Sequence, residues 1–182
     1  MWQNIQKYYP PLIDILTFAI MFFMIIYVVF YYGKLPDEIP THFNVSGEAD
    51  AWGSKGALIG LIVLNFHAVF LCFVINYFLV IKTENTTDSL QLVNIPFVKK
   101  EKLTEAQIYL VKRHTARLLA FTNLFISLTF ASIYYSMIQN GLGNQSGLTS
   151  SFNLFLVLIF APAVYYTWKI YQDVKMGQSG TD

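Results

Sequence analysis

Residues 57–81 read ALIGLIVLNFHAVFLCFVINYFLVI, a run without a single formal charge. A helix needs about 20 apolar residues to cross the hydrocarbon core of a bilayer. In lipid every backbone N–H and C=O must be paired within its own segment, so the run is read as a helix and not as a strand. Three more runs share this character. Pro11 to Tyr32 carries only Asp14, and Leu118 to Ile138 and Thr149 to Trp168 carry no charge. The first is expected to be a retained helix, not a cleaved signal. Its apolar core is longer than a signal requires, and YYGKLP follows it in place of a small-x-small site.

Composition agrees. Hydrophobic residues make up 55% and charged residues 13% of the 182 positions, against about 25% charged in an ordinary soluble domain. A net charge of +1 gives no basic footprint for nucleic acid. The single cysteine, Cys72, rules out a disulfide framework and a cysteine-built zinc site. The fold class expected is all-α: four transmembrane helices in a bundle.

Lys and Arg set the orientation, because short cytoplasmic connections are enriched in them. The connection between the second and third runs holds seven, Lys82, Lys99, Lys100, Lys102, Lys112, Arg113 and Arg117. Lys7, Lys169 and Lys175 flank the first and last runs, and the first connection holds only Lys34 and Lys55. Both termini are therefore expected in the cytoplasm, and the first connection outside. The pairs Tyr8-Tyr9, Tyr31-Tyr32 and Tyr165-Tyr166 stand where interfacial aromatic belts occur. Lys112, Arg113 and Arg117 are expected at headgroup level as anchors for anionic lipid.

Within the spans, Gly56, Gly60, Val63, His67 and Leu71 recur at helical spacing. Gly56 and Gly60 form a small-xxx-small pattern that lets helices approach closely. This stripe is expected to face a second one on the third span, made of Ala120, Asn123, Ser127 and Ala131. His67, on the first stripe, is read either as interhelical glue or as a ligand or proton site. Asp14, in a first helical turn, is read as a dipole partner or a functional acid. Thr104-Glu105-Ala106-Gln107 fits a capping box, so a helix is expected to start near Glu105 and run into the third span.

The first connection, LPDEIPTHFNVSGEADAWGSK at residues 35–55, holds more chemistry than a linker needs. Pro36 and Pro40 keep the chain extended. Residues 41–45 alternate like a short strand, and Ser46-Gly47-Glu48 reads as a turn. A compact extracytoplasmic cap between helices 1 and 2 is expected. Pro36, Pro40, Gly47 and Gly53 would shape it, Asn44 and Asp50 would bond backbone amides, Trp52 would anchor it, and Ser54 would cap the second helix. His42 is expected to face outward. Asp37, Glu38, His42, Glu48 and Asp50 lack the spacing of a calcium loop and the ligand count of zinc. No nucleophile–base motif or phosphate loop is present. No metal, cofactor or catalytic residue is expected, and the chain is not read as an enzyme.

The pattern L-P-x-x-I-P-x-H-F-N-x-x-G-x-x-D-x-W-G-S-K between two spans resembles the N-terminal domain of the SdpI family, over about residues 12 to 80. The carrying residues run from Leu35 to Lys55 and include His42, Phe43, Asn44, Gly47, Asp50, Trp52 and Ser54. That resemblance implies a bacterial plasma membrane, no established catalytic residues, and in one member immunity against a secreted toxin. The chain divides as 1–82, an SdpI-like unit; 83–117, a basic connection; 118–170, helices 3 and 4; and 171–182, a disordered tail. The functional expectation is immunity to, or sensing of, a membrane-acting peptide, with His42, Asn44, Asp50 and Trp52 as recognition residues. Its partners would be the bilayer and a secreted peptide or another membrane protein. The alternatives are an accessory subunit of a membrane transport complex and a small transporter or channel component.

Overall fold

Thr104 opens the longest helix. Its hydroxyl accepts from the Gln107 amide at 3.3 Å, and the Gln107 side chain accepts from the Thr104 amide at 3.0 Å. This reciprocal cap satisfies two amides that helix geometry would otherwise leave unpaired. The helix it starts, α4 (Glu105–Gly141), has 37 residues. At the α-helical rise that is about 55 Å, well beyond a bilayer core.

The structure is a computed structural model describing residues 1–90, 93 and 99–178. Before α4 come α1 (Trp2–Gln6), α2 (Leu12–Tyr32), β1 (Glu38–Phe43), β2 (Ala49–Ser54) and α3 (Ala57–Ile75). A π-helical turn, Asn76–Ile81, extends α3, and α5 (Ser150–Gln178) closes the chain. Among the described residues, four helical spans are long and apolar enough to cross a membrane: Leu12–Tyr32, Ala57–Ile81, Glu105–Gly141 and Ser150–Lys175. They fit a multi-pass membrane protein.

α4 is the hub. It packs on α2, α3 and α5, while α3 and α5 flank it without packing closely on each other. α2 buries Asp14, Thr17, Met21, Met24 and Val28, a stripe of alternating three- and four-residue steps. Asn123 and Ser127 lie on the buried face of α4, as expected. Asn123 donates to the Val69 carbonyl at 3.1 Å and Ser127 to the Thr17 carbonyl at 3.1 Å. The outward faces carry large apolar side chains, among them Phe23, Ile26, Leu64, Phe70, Val157 and Phe160. An exposed apolar band of this size is what lipid-facing helices present.

The fold is mostly helical, as expected, and adds a small antiparallel hairpin, β1 and β2, between α2 and α3. Several expectations about the spans need correction. The α3 stripe is rotated: Leu58, Asn65 and Val69 face the bundle, while His67 is exposed and bonds only its own helix, at the Val63 carbonyl. A Cβ on Gly60 would meet no atom within 4 Å, and one on Gly56 would meet only the Ser54 hydroxyl, so neither seats a neighbouring helix. Lys112 is wholly buried, with its ammonium 2.6 Å from the Thr83 carbonyl, and Arg117 donates to the Tyr8 carbonyl at 2.8 Å. Lys112 therefore holds the chain together and does not anchor headgroups.

The expected tail is helical as far as Gln178, because Ile170 and Val174 pack on Leu90, Leu103, Ile108 and Val111. His114 pairs with Asp173 at 2.8 Å across the same contact. Residues 179–182 lie outside the described residues. So do 91–92 and 94–98 of the long connection expected as a loop, where Thr87–Leu90 and Lys100–Lys102 form 3-10 turns.

In the first turn of α2 the expected dipole partner is embedded in a network. Asp14 is buried and accepts from the Tyr9 hydroxyl at 3.0 Å. Burial, and then the Asp14 carboxylate, hold the Tyr9 phenol above its ordinary range, so it remains a donor. Asn76, opening the π turn, donates to the Tyr9 oxygen and to the Ala116 carbonyl, both at 3.0 Å. α1, α2, α3 and α4 are thereby joined in one buried cluster.

Candidate functional site: the hairpin and the groove beneath it

Pro40 has no amide hydrogen to give to a strand ladder. It occupies β1 where the pairing becomes irregular. Glu38–Ser54, Ile39–Gly53, Pro40–Trp52 and Phe43–Ala49 keep one register, while His42 slips to lie against Ala51. In the register on either side of the slip, His42 stands opposite Asp50. The two side chains meet across it, with His42 Nδ1 donating to Asp50 Oδ1 at 2.5 Å. Both are exposed, at 67% and 41% of their side-chain surface. His42 thus faces outward as expected. Asp50 grips an imidazole, where a backbone amide was expected.

Asn44 builds the turn. Its side-chain oxygen accepts from the amides of Ser46 at 2.9 Å and Glu48 at 3.0 Å. Its amide nitrogen donates to the Glu48 carboxylate at 3.2 Å. Gly47 sits at φ 80°, a conformation that side-chain-bearing residues rarely adopt. The Asn44 and Gly47 expectations both hold here. Gly53 lies flush against Thr41, where a Cβ would come within 3.2 Å. Pro36 is exposed in the arm leading to β1, and Trp52 is exposed on β2. Ser54 accepts from the Gly56 amide at 3.1 Å, two residues ahead of where it would act as a helix cap.

Three contacts seat the hairpin. Leu35 and Ile39 are buried on the end of α4, so close to Gly141 that a Cβ there would lie 2.8 Å from Ile39. The Gly47 carbonyl accepts from the Leu148 amide at 2.7 Å. Lys55 pairs with Asp37 at 3.2 Å and donates to the Leu35 carbonyl, which closes the base. The loop on the far side is itself held by Asn140. Its side chain accepts from the Gly147 amide at 2.6 Å and donates to the Gly147 carbonyl at 2.7 Å.

Beneath the hairpin a groove of about 530 Å³ opens between α3 and α5. Thr41, His42, Phe43 and Asn44 form its roof. Ala57 and Leu61 of α3, Ile133 and Met137 of α4, and Phe152 and Leu156 of α5 form its walls. Asn153, next to the polar roof, also lines it. The volume falls within the range of small-ligand pockets, which combine apolar walls with a few polar groups. His42 and Asn44 are thus brought to one site, with Asp50 bonded behind His42; Trp52 is not among the lining residues.

Residues 19–66 match the Domain of unknown function (DUF1648). No curated protein and no solved structure matches the chain. The matched DUF1648 segment covers most of α2, the whole hairpin and the start of α3. It lies inside the residues that resemble the SdpI N-terminal domain and is consistent with such a domain. α4 and α5, which supply most of the groove's walls, lie outside the DUF1648 match. The protein is a membrane-like helical chain carrying a domain of unknown function.

The wall residues were not singled out by sequence. Ala57 and Leu61, Ile133 and Met137, and Phe152 and Leu156 each recur at four-residue spacing. That pattern is the same for a lipid-facing position and a groove-facing one. Glu48, bonded to the groove-lining Asn44, is read from sequence as a turn residue and a metal-ligand candidate, not as part of a recognition site.

Proposed function

We propose that this protein recognises a membrane-acting peptide at the outer surface of a bacterial plasma membrane, as an immunity or sensing protein. The observation that carries the reading is an exposed His42, backed by Asp50, on the roof of an apolar groove between α3 and α5. A peptide that acts at a bilayer has to present both an apolar and a polar face, and such a site offers a complement to each. The resemblance to the SdpI N-terminal domain supports the same reading. No covalent chemistry is invoked; recognition rests on packing and charge.

The orientation required puts the hairpin outside and both termini in the cytoplasm, as the Lys and Arg distribution favours. Reporter fusions after residues 50 and 145 should score external, and one after residue 95 internal. An internal score at residue 50 would place the groove on the wrong side for a secreted peptide.

Protection is tested in cells. Bacteria expressing the protein are challenged with a panel of membrane-acting peptides, and survival is compared with that of cells lacking it. Replacing His42 with Ala should leave membrane abundance unchanged, since His42 is exposed and no core contact depends on it, while protection falls to the level of cells lacking the protein. Full protection by abundant His42→Ala protein removes the hairpin from the recognition surface.

A further inference from the structure

The charges around the groove narrow the ligand, and the narrowing rests on the recognition reading above. Two exposed carboxylates stand one side chain back from the groove, each bonded to a residue that lines it: Asp50 to His42 and Glu48 to Asn44. The nearby cations are engaged elsewhere. Lys55 is held by Asp37 and the Leu35 carbonyl, and the Lys34 ammonium lies 3.7 Å from the centre of the Phe30 ring. The connection that carries the hairpin holds Asp37, Glu38, Glu48 and Asp50 against Lys34 and Lys55, so it sets net negative charge over walls made by Leu61, Ile133, Met137, Phe152 and Leu156.

From this juxtaposition we infer that the groove takes a cationic amphipathic peptide, with an apolar side chain seated between α3 and α5 and a Lys, Arg or terminal ammonium against Glu48 and Asp50. On a helical peptide, residues three or four apart share a face, so one turn can deliver both groups. An anionic phospholipid satisfies the walls with its acyl chain but brings a net negative headgroup to two carboxylates, where like charges repel, and a zwitterionic one is present in the empty-nanodisc background. An anionic or neutral apolar peptide satisfies only the walls.

The test uses the full-length protein in phosphatidylcholine nanodiscs, with empty nanodiscs as the background. The probes are three fluorescently labelled amphipathic helices: leucine with lysine, leucine with glutamine, and leucine with glutamate. The lysine probe should bind roughly fivefold tighter than the glutamine probe, the effect of two exposed ion pairs, and the glutamate probe should bind weakest. Glu48→Gln combined with Asp50→Asn keeps oxygen acceptors for Asn44 and His42, and should bring the lysine and glutamine probes to equal affinity. Leu61→Trp fills the groove and should weaken both.

Should the double variant fail to fold, salt dependence of the unaltered protein decides. The lysine preference must shrink between about 0.05 and 0.5 M NaCl, because exposed charges are screened over that range. Equal binding of lysine and glutamine probes, a preference that survives charge removal or salt, or indifference to Leu61→Trp overturns the inference. Equal binding leaves protection in cells intact as a reading, with a neutral ligand. Selective lysine-probe binding without protection in cells overturns the function and leaves the ligand class standing.

Discussion

Replacing Lys112 by methionine should cost about 3 kcal/mol of stability, the loss expected when a buried cation leaves its acceptors unpaired. Lys112 lies on α4 with no exposed surface, and its ammonium reaches the Thr83 carbonyl at 2.6 Å, the Glu84 carbonyl at 3.2 Å and the Asn85 side chain at 3.1 Å. These groups belong to the chain as it leaves the π turn. Helix ends there collect unsatisfied carbonyls and attract cations. Methionine keeps most of the side-chain volume, so the change reports the ammonium and not a cavity. Glu84 and Asn85 are exposed and can turn to water, which keeps the cost below the sum of three charged hydrogen bonds. Thermal unfolding in detergent measures the loss. A cycle with Asn85→Ala should show coupling of about 1 kcal/mol between the two positions. An unaltered midpoint for Lys112→Met would mean that the carbonyls are served by solvent and that α4 is not fastened to α3 at this point.

Lys112 also shows where sequence reading stopped. A cation at the end of a membrane span is normally a headgroup anchor, and nothing local marks the one whose partners lie almost thirty residues upstream. The spans themselves were legible, because length and apolarity decide them. So was the start of α4, since a capping box is a local signal. Which face of each helix points inward was only half legible. Asn123 and Ser127 were placed correctly because a polar group at depth needs a protein partner. Gly60 and His67 were misplaced because glycine is equally content against lipid, and a histidine can bond a carbonyl of its own helix, as His67 does. Asn65 and Asn76 carried the better signal on α3, at eleven-residue separation on the buried face.

The hairpin was legible in part for a different reason. Prolines, Asn44 and Gly47 write turn chemistry directly into the sequence, and the turn forms where they place it. The His42–Asp50 pair depends on the register of two strands, which the tip alone does not set. The groove depends on α3 and α5 standing apart on α4, which is a property of the whole bundle. Its walls are aliphatic and aromatic side chains in a chain that is apolar on nearly every helical face. Hydrophobic periodicity, the usual guide to a buried face, carries little information there.

Seating of the hairpin supplies the second large effect. Gly147 and Gly143 both lie in the loop between α4 and α5, at φ 80° and 75°. Alanine at either position meets the same left-handed penalty, about 1 kcal/mol. The surroundings differ. A Cβ on Gly143 meets no atom within 4 Å, whereas one on Gly147 runs into the Gly47 carbonyl oxygen. That oxygen accepts the Leu148 amide at 2.7 Å, so the collision also threatens the bond tying the hairpin tip to the bundle. Gly147→Ala should therefore cost about 3 kcal/mol, combining backbone strain, overpacking and one hydrogen bond. Gly143→Ala, with strain alone, is the control. Hydrogen exchange adds the location: amides of residues 44–48 should lose protection in Gly147→Ala and keep it in Gly143→Ala. Since the hairpin roofs the groove, Gly147→Ala should also weaken the lysine probe while Gly143→Ala leaves it unchanged. Equal destabilisation by the two alanines, with the tip amides equally protected, would show that the hairpin does not lean on this loop. The roof of the groove would then be held by Leu35 and Ile39 against Gly141 and by the Lys55 contacts at its base.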